Sequence, residues 1–185
     1  MSNKHTIITK ILVVACLAGL LGSCGFRLRG DVEVPPQLQN VAITGVAQYA
    51  DLYQELKRVL QRSGSEVSTN RSLAKAVIVI SAAETRKRVL SVDTQGRAAE
   101  YELNYRFFFS VVENTSNTEI DAQQPGQEKI LVPQQKLELT RDFRFDPNNV
   151  LATDAEEKQI RLELVQFAVR QMMRRIRSHL KYAGQ

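Results

Sequence analysis

Few residues in this chain can carry covalent chemistry. There are two cysteines, Cys16 and Cys24, and two histidines, His5 and His179. Cys24 follows Gly22 and Ser23, small residues that leave the backbone open to a peptidase, and its thiol is a strong nucleophile once ionised. His179 sits near the C-terminus and cannot build a Ser-His-Asp relay unless a carboxylate is brought to it from elsewhere. No His/Cys spacing suits a transition metal and no glycine run suits a phosphate cradle, so neither metal nor cofactor is expected. Glu100 and Glu102 are two residues apart and would share a strand face, where they could be imagined as an acid–base pair. The structural alternative is cross-strand pairing with Arg88 or Lys136. Arg86, Lys87, Arg88 and Arg97 flank one turn signal. Arginine suits phosphate because its planar fork donates two bonds at once.

The segment before Cys24 decides how much of this chemistry survives. A short basic start with Lys4 and Lys10 leads into an apolar run from Ile11 to Leu21, then Gly22-Ser23-Cys24. Basic, apolar and small-residue regions in that order predict a secretory signal over residues 1–23. The apolar run is too short for a transmembrane helix, which needs about 20 residues. Leu21-Gly22-Ser23-Cys24 also resembles the bacterial lipobox, in which the thiol is joined to diacylglycerol, the peptide is cut before the cysteine and the new amine is acylated. Cleavage would remove Cys16 and His5 and consume Cys24, leaving no free thiol and one histidine. It would shorten the chain from 185 to 162 residues. Losing Lys4 and Lys10 from 25 basic residues, against 20 acidic ones, would lower the charge from +5 to +3. A weakly basic chain of that length fits one modest domain. In the periplasm the polyanions in reach are phosphorylated lipids, not nucleic acid.

The remaining elements must position the candidates. Residues 24–39 read as a lipidated start and extended tether, since Pro35-Pro36 bars helix, and 40–182 as the domain. Val41 to Thr44 is a short strand. Leu52, Leu56, Val59 and Leu60 recur at helical spacing between Tyr49 and Ser63, with Gly64 as the cap. Ala76 to Ala82 reads as a buried strand that continues through Arg86-Lys87-Arg88 to Val92. Asp93 to Arg97 is a turn. Beyond it Tyr101, Leu103, Tyr105, Phe107, Phe109 and Val111 alternate with Glu100, Glu102, Asn104 and Arg106. The latter face is wet, and serves as an interaction surface or lies under a further helix. A polar loop is expected near 113–130. A last strand carries Leu137, Leu139, Phe143 and Phe145. Thr153-x-x-Glu156 suggests a capping box for a closing helix with the apolar arc Leu162, Val165, Val169, Met172, Ile176 and Leu180. Gln166, Arg170, Arg174, Arg177 and Lys181 form its opposite arc. The order predicts an α+β fold: two helices packed on one face of a four-stranded, mostly antiparallel sheet.

Cys24-Gly-Phe-Arg-Leu-Arg-Gly30 resembles the mature start, C-G-F-x-L-R-G, of the LPS-assembly lipoprotein family (LptE). The resemblance continues through Pro35 and Leu38, Gly96-Arg97-x-Ala99-Glu100-Tyr101, Arg141-Asp-Phe143 and the closing amphipathic helix. The connection from Glu113 to Lys129 is longer than the family's usual one. The resemblance implies a non-enzymatic lipoprotein at the outer membrane, with Gly25 suited to that sorting. It implies a plug and folding partner within the β-barrel LptD that helps deliver lipopolysaccharide to the cell surface. It also implies a contact between Arg97 and lipopolysaccharide phosphate; Arg86, Lys87 and Arg88 are weaker candidates, on their charge and their place beside the turn alone. The alternatives are a free-standing periplasmic lipid-binding or transport accessory lipoprotein and an envelope hydrolase using Glu100 or Glu102.

Overall fold

Alternating large apolar residues organise the centre of the structure. The computed structural model describes residues 35–114 and 129–183, all within the unit Glu33–Gln185. The signal segment, Cys24 and most of the expected loop near 113–130 lie outside the described residues. The longest strands are β3 (Ala76–Val92), β4 (Ala98–Glu113) and β5 (Ile130–Arg144), paired antiparallel in that order. Along β4 the residues Leu103, Tyr105, Phe107, Phe109 and Val111 are buried and those between them are half-buried, as the alternation requires. Glu113 and Ile130 belong to the strands.

The sheet has five strands with mixed pairing, which corrects the expected four, mostly antiparallel. Strand β1 (Asn40–Thr44) runs parallel both to β2 (Glu66–Ser68) and to β3, giving the order β2-β1-β3-β4-β5. Strand β2 has three residues, too few to carry a period. Backbone bonds hold it, with Glu66 N–H donating to the Gln39 carbonyl at 2.7 Å beside its pairing with β1. The return from β2 to β3 crosses β1 through the tight turn Arg71–Leu73. There Ala74 clusters with Ala42, Val77 and Val112 on the second face of the sheet.

Helix α1 (Asp51–Arg62) buries Leu52, Tyr53, Leu56 and Leu60. It ends in paired bonds, Gly64 N–H to the Gln61 carbonyl and Ser65 N–H to the Leu60 carbonyl, which require positive φ at Gly64, here +88°. Helix α2 (Val150–Ala183) buries Ile160, Leu164, Val165, Ala168, Val169, Met172, Met173, Ile176 and Leu180 against the same core. Leu162 falls off this arc and is 43 % exposed. Thr153 is not the cap. The turn at Asp146-Pro147-Asn148 starts the helix a turn earlier, and buried Thr153 instead donates its hydroxyl to the Asn149 carbonyl at 3.2 Å.

Both helices share one core with one face of the sheet, built on Phe107, Phe109, Leu103, Ile78 and Ile80. Burying each such side chain contributes about 1.5–3 kcal/mol. Leu38, in the turn Pro36–Leu38, is fully buried in that core. Beyond Thr44 strand β1 leaves the sheet at Gly45, whose φ is +84° and whose missing Cβ would stand 1.8 Å from the Ile80 carbonyl oxygen. Just past this point β3 bulges between Ser81 and Glu84, with Ala82 at φ +50°. From there β3 and β4 continue to the turn at Asp93–Arg97.

Candidate ligand-binding surface

The turn between β3 and β4 fixes Arg97. Asp93 Oδ1 accepts the backbone N–H groups of Gln95 and Arg97, both at 2.9 Å, and its backbone N–H donates to the Arg97 carbonyl at 2.8 Å. Gly96 supplies the left-handed conformation, φ +77°. Arg97 Nε then donates to Asp93 Oδ2 at 2.8 Å and Nη2 to Gln95 Oε1 at 3.0 Å, with the side chain 61 % exposed. The Arg97 backbone N–H, followed by its side chain, holds the Asp93 carboxyl below its ordinary range. The result is an arginine braced at a hairpin tip with Nη1 left for an incoming acceptor.

The other three cations do not form one cluster. Strand alternation sends Arg86 and Arg88 to the open face, opposite Asn104 and Glu102 in register, and Lys87 to the helix face, opposite Leu103. Arg88 grips Glu102 with Nε at 2.5 Å and Nη2 at 3.0 Å; Arg86 meets Glu84 at 3.3 Å. Lys87 binds Glu157 of α2, with its Nζ 4.2 Å from the centre of the Tyr101 ring.

The open face is a lattice of crossed charges. Glu84 bonds Arg106, Lys136 pairs with Glu138, and Asn104 donates to Glu138 at 2.9 Å. Glu100 accepts the Ser91 hydroxyl at 2.9 Å and lies 3.8 Å from Arg144. Glu102 thus takes the expected partner Arg88, whereas Lys136 turns to Glu138. Hydrogen bonding from Arg88 holds the Glu102 carboxyl below its ordinary range, the wrong direction for a proton donor. His179 stands exposed on α2, and no group of three metal-ligating side chains converges among the described residues. Arg106 lies on this face, as the alternation of β4 requires; Arg144 was not singled out in the sequence, although the parity of β5 assigns it here too.

The architecture is one seen in proteins described as bacterial lipoproteins. The crystal structure of rare lipoprotein B from Shewanella oneidensis matches with a TM-score of 0.62 at 21 % identity, covering 78 % of this chain and 98 % of that one. The solution structure of a lipoprotein B from Nitrosomonas europaea gives the same TM-score at 30 % identity, covering 81 % and 88 %. In sequence, the LPS-assembly lipoprotein LptE of Pectobacterium atrosepticum is 27 % identical over 175 residues, 94 % of this chain and 86 % of that protein. The LptE family model, described as lipopolysaccharide-assembly, matches residues 38–176. The chain belongs to the LptE family.

Proposed function

We propose that the protein is an outer-membrane lipoprotein, anchored through an acylated Cys24, that assembles lipopolysaccharide together with an LptD-like β-barrel. It acts there as plug and folding partner, and Arg97 contacts lipopolysaccharide phosphate. Family membership supports the link to lipopolysaccharide. The observation that carries the plug role is the open face of β3, β4 and β5, where most charges sit in ion pairs and which no described helix covers. A barrel lumen is polar, so a face this rich in ion pairs and hydrogen-bonding groups is suited to lodging there. Arg86 and Arg88 share that face and are secondary phosphate contacts. Lys87, turned to α2, serves the fold instead.

The test is co-purification. The full lipidated chain, extracted from outer membrane in mild detergent, should bring down a large β-barrel in equal amount. Elution of the chain alone would overturn the partnership and favour a free-standing accessory lipoprotein.

A further inference from the structure

Strand β5 ends the sheet, and its outer row of backbone donors and acceptors meets no other strand among the described residues. Exposed edges invite strand addition, and proteins usually blunt them with proline, lysine, bulges or a covering side chain. The first half of β5 has all four. Pro133 lies in it, the register with β4 shifts between Phe109 and Val112, Lys136 is exposed, and Arg175 Nη1 of α2 donates to the Lys136 carbonyl at 2.9 Å. The equally unpaired stretch of β3 beyond Val79 is blunted as well, by the bulge at Ala82 and the charges from Glu84 to Arg88.

The second half of β5, from Leu137 to Arg144, has neither proline, lysine nor bulge, and its only blunting devices are the charges Glu138, Arg141, Asp142 and Arg144. A cavity of about 400 Å³ opens beside it, between the strand and α2, lined among others by Leu139, Arg141, Leu164, Phe167 and Arg170. Phe167 is 48 % exposed in the wall of this groove, where Leu139 and Leu164 stand among the polar Thr140, Arg141, Glu163 and Arg170, and a large ring gains by being covered. The rim is basic. Arg170 lies over the Phe167 ring, 5.6 Å from its centre, and among the described residues neither Arg170 nor the exposed Arg174 meets a carboxylate. Arg141 reaches Glu163 only at 3.8 Å.

From this juxtaposition we infer that the Leu137–Arg144 edge of β5 accepts an extended, acidic segment of the β-barrel partner as a sixth strand. Main-chain bonds to the edge would supply affinity. Every second side chain would enter the groove under Phe167, and carboxylates beside it would meet Arg170 and Arg174. The inference rests on the proposed partnership and deepens it, assigning the seam by which plug and barrel are joined.

Photo-crosslinking in the cell tests this. A photoreactive residue is placed at Thr140, Asp142, Gln134 or Gln61 of the full lipidated chain. Thr140 and Asp142 should give adducts that mass spectrometry maps two residues apart on one Asp/Glu-bearing segment of the barrel. Gln134, in the blunted half, and Gln61, on α1, should not. Adducts within the same chain, adducts to lipopolysaccharide alone, equal labelling from all four sites, or none would each overturn the inference. As a second measurement, Arg170→Glu combined with Arg174→Glu should lower the co-purified barrel at least tenfold with an unchanged thermal midpoint, and Arg170→Lys should retain it. If the barrel co-purifies undiminished with the double variant, the seam is wrong and the partnership stands. If no barrel co-purifies with the unaltered chain, the partnership itself fails and the seam with it.

Discussion

Lys87 of β3 and Glu157 of α2 form an ion pair across the junction of sheet and long helix, with side chains 32 % and 14 % exposed. The ammonium also lies over Tyr101, which stacks on Phe143 with ring centres 5.8 Å apart. A cation so enclosed by one carboxylate and two rings fastens the N-terminal part of α2 to the hairpin. Lys87→Met should therefore lower stability by about 1–2 kcal/mol, because Arg161 continues to neutralise Glu157. Urea unfolding reads that loss, and lipopolysaccharide binding should be unaffected.

Arg97 is braced by a turn whose backbone bonds do not depend on its guanidinium. Arg97→Ala should leave the thermal midpoint in place and weaken binding of purified lipopolysaccharide several-fold. Arg97→Lys should recover only part of it, since an ammonium cannot hold both Asp93 and Gln95 in the plane of the fork while still presenting a donor to phosphate. Equal affinity of the Ala variant and the unaltered protein would remove Arg97 from the site.

Two glycines with positive φ, Gly45 after β1 and Gly96 in the β3–β4 turn, make a contrasting pair. Gly45→Ala would drive a methyl into the Ile80 carbonyl, 1.8 Å from where it must sit, at a φ of +84°. It should cost roughly 3 kcal/mol or more, enough to abolish folding of a marginal domain. Gly96→Ala meets no atom within 4 Å and pays only for its φ of +77°, about 1–2 kcal/mol. Circular dichroism melts of the two variants should separate accordingly.

Several carboxyls are held below their ordinary range: Glu84 by Arg106, Glu102 by Arg88, and Glu138 by Lys136. At Glu157 burial pushes upward, and the bonds from Lys87 and Arg161 outweigh it. Depressed values mean that the unfolded chain takes up protons first as pH falls. The stability they contribute is therefore complete above the ordinary glutamate value of 4.5 and is lost below it. Urea midpoints should be level from about pH 7 to 5 and decline further down. In Arg88→Gln the acid decline should be shallower, because Glu102 then titrates near its unfolded value.

Much of this was legible in the residues. The alternation of Tyr101 to Val111 is strong because each large apolar residue is separated by one polar residue over most of a strand, and it places both faces of β4 correctly. Gly64 and Gly96 mark left-handed turns because few other residues adopt them without strain. Strand β2 escaped because Glu66-Val67-Ser68 carries no pattern of its own and is defined by its neighbour. Parallel pairing of β1 was equally hidden, as it depends on which edge the chain returns to. Thr153-x-x-Glu156 fits a capping box, but the turn at Asp146 to Asn148 starts the helix earlier and Thr153 is used inside it. The basic run at Arg86 to Arg88 reads as one patch until strand parity divides it. The groove beside β5 needs the tertiary placement of Phe167 against Leu139, which no local pattern encodes.

Delivery of lipopolysaccharide to the cell surface is the role proposed for this lipoprotein. The most direct measurement is the surface arrival of newly made, pulse-labelled lipopolysaccharide after the protein is depleted. Arrival should fall in step with depletion and return with the unaltered chain, but not with Cys24→Ala, which would lack the proposed lipid anchor. Undiminished arrival in depleted cells would contradict it.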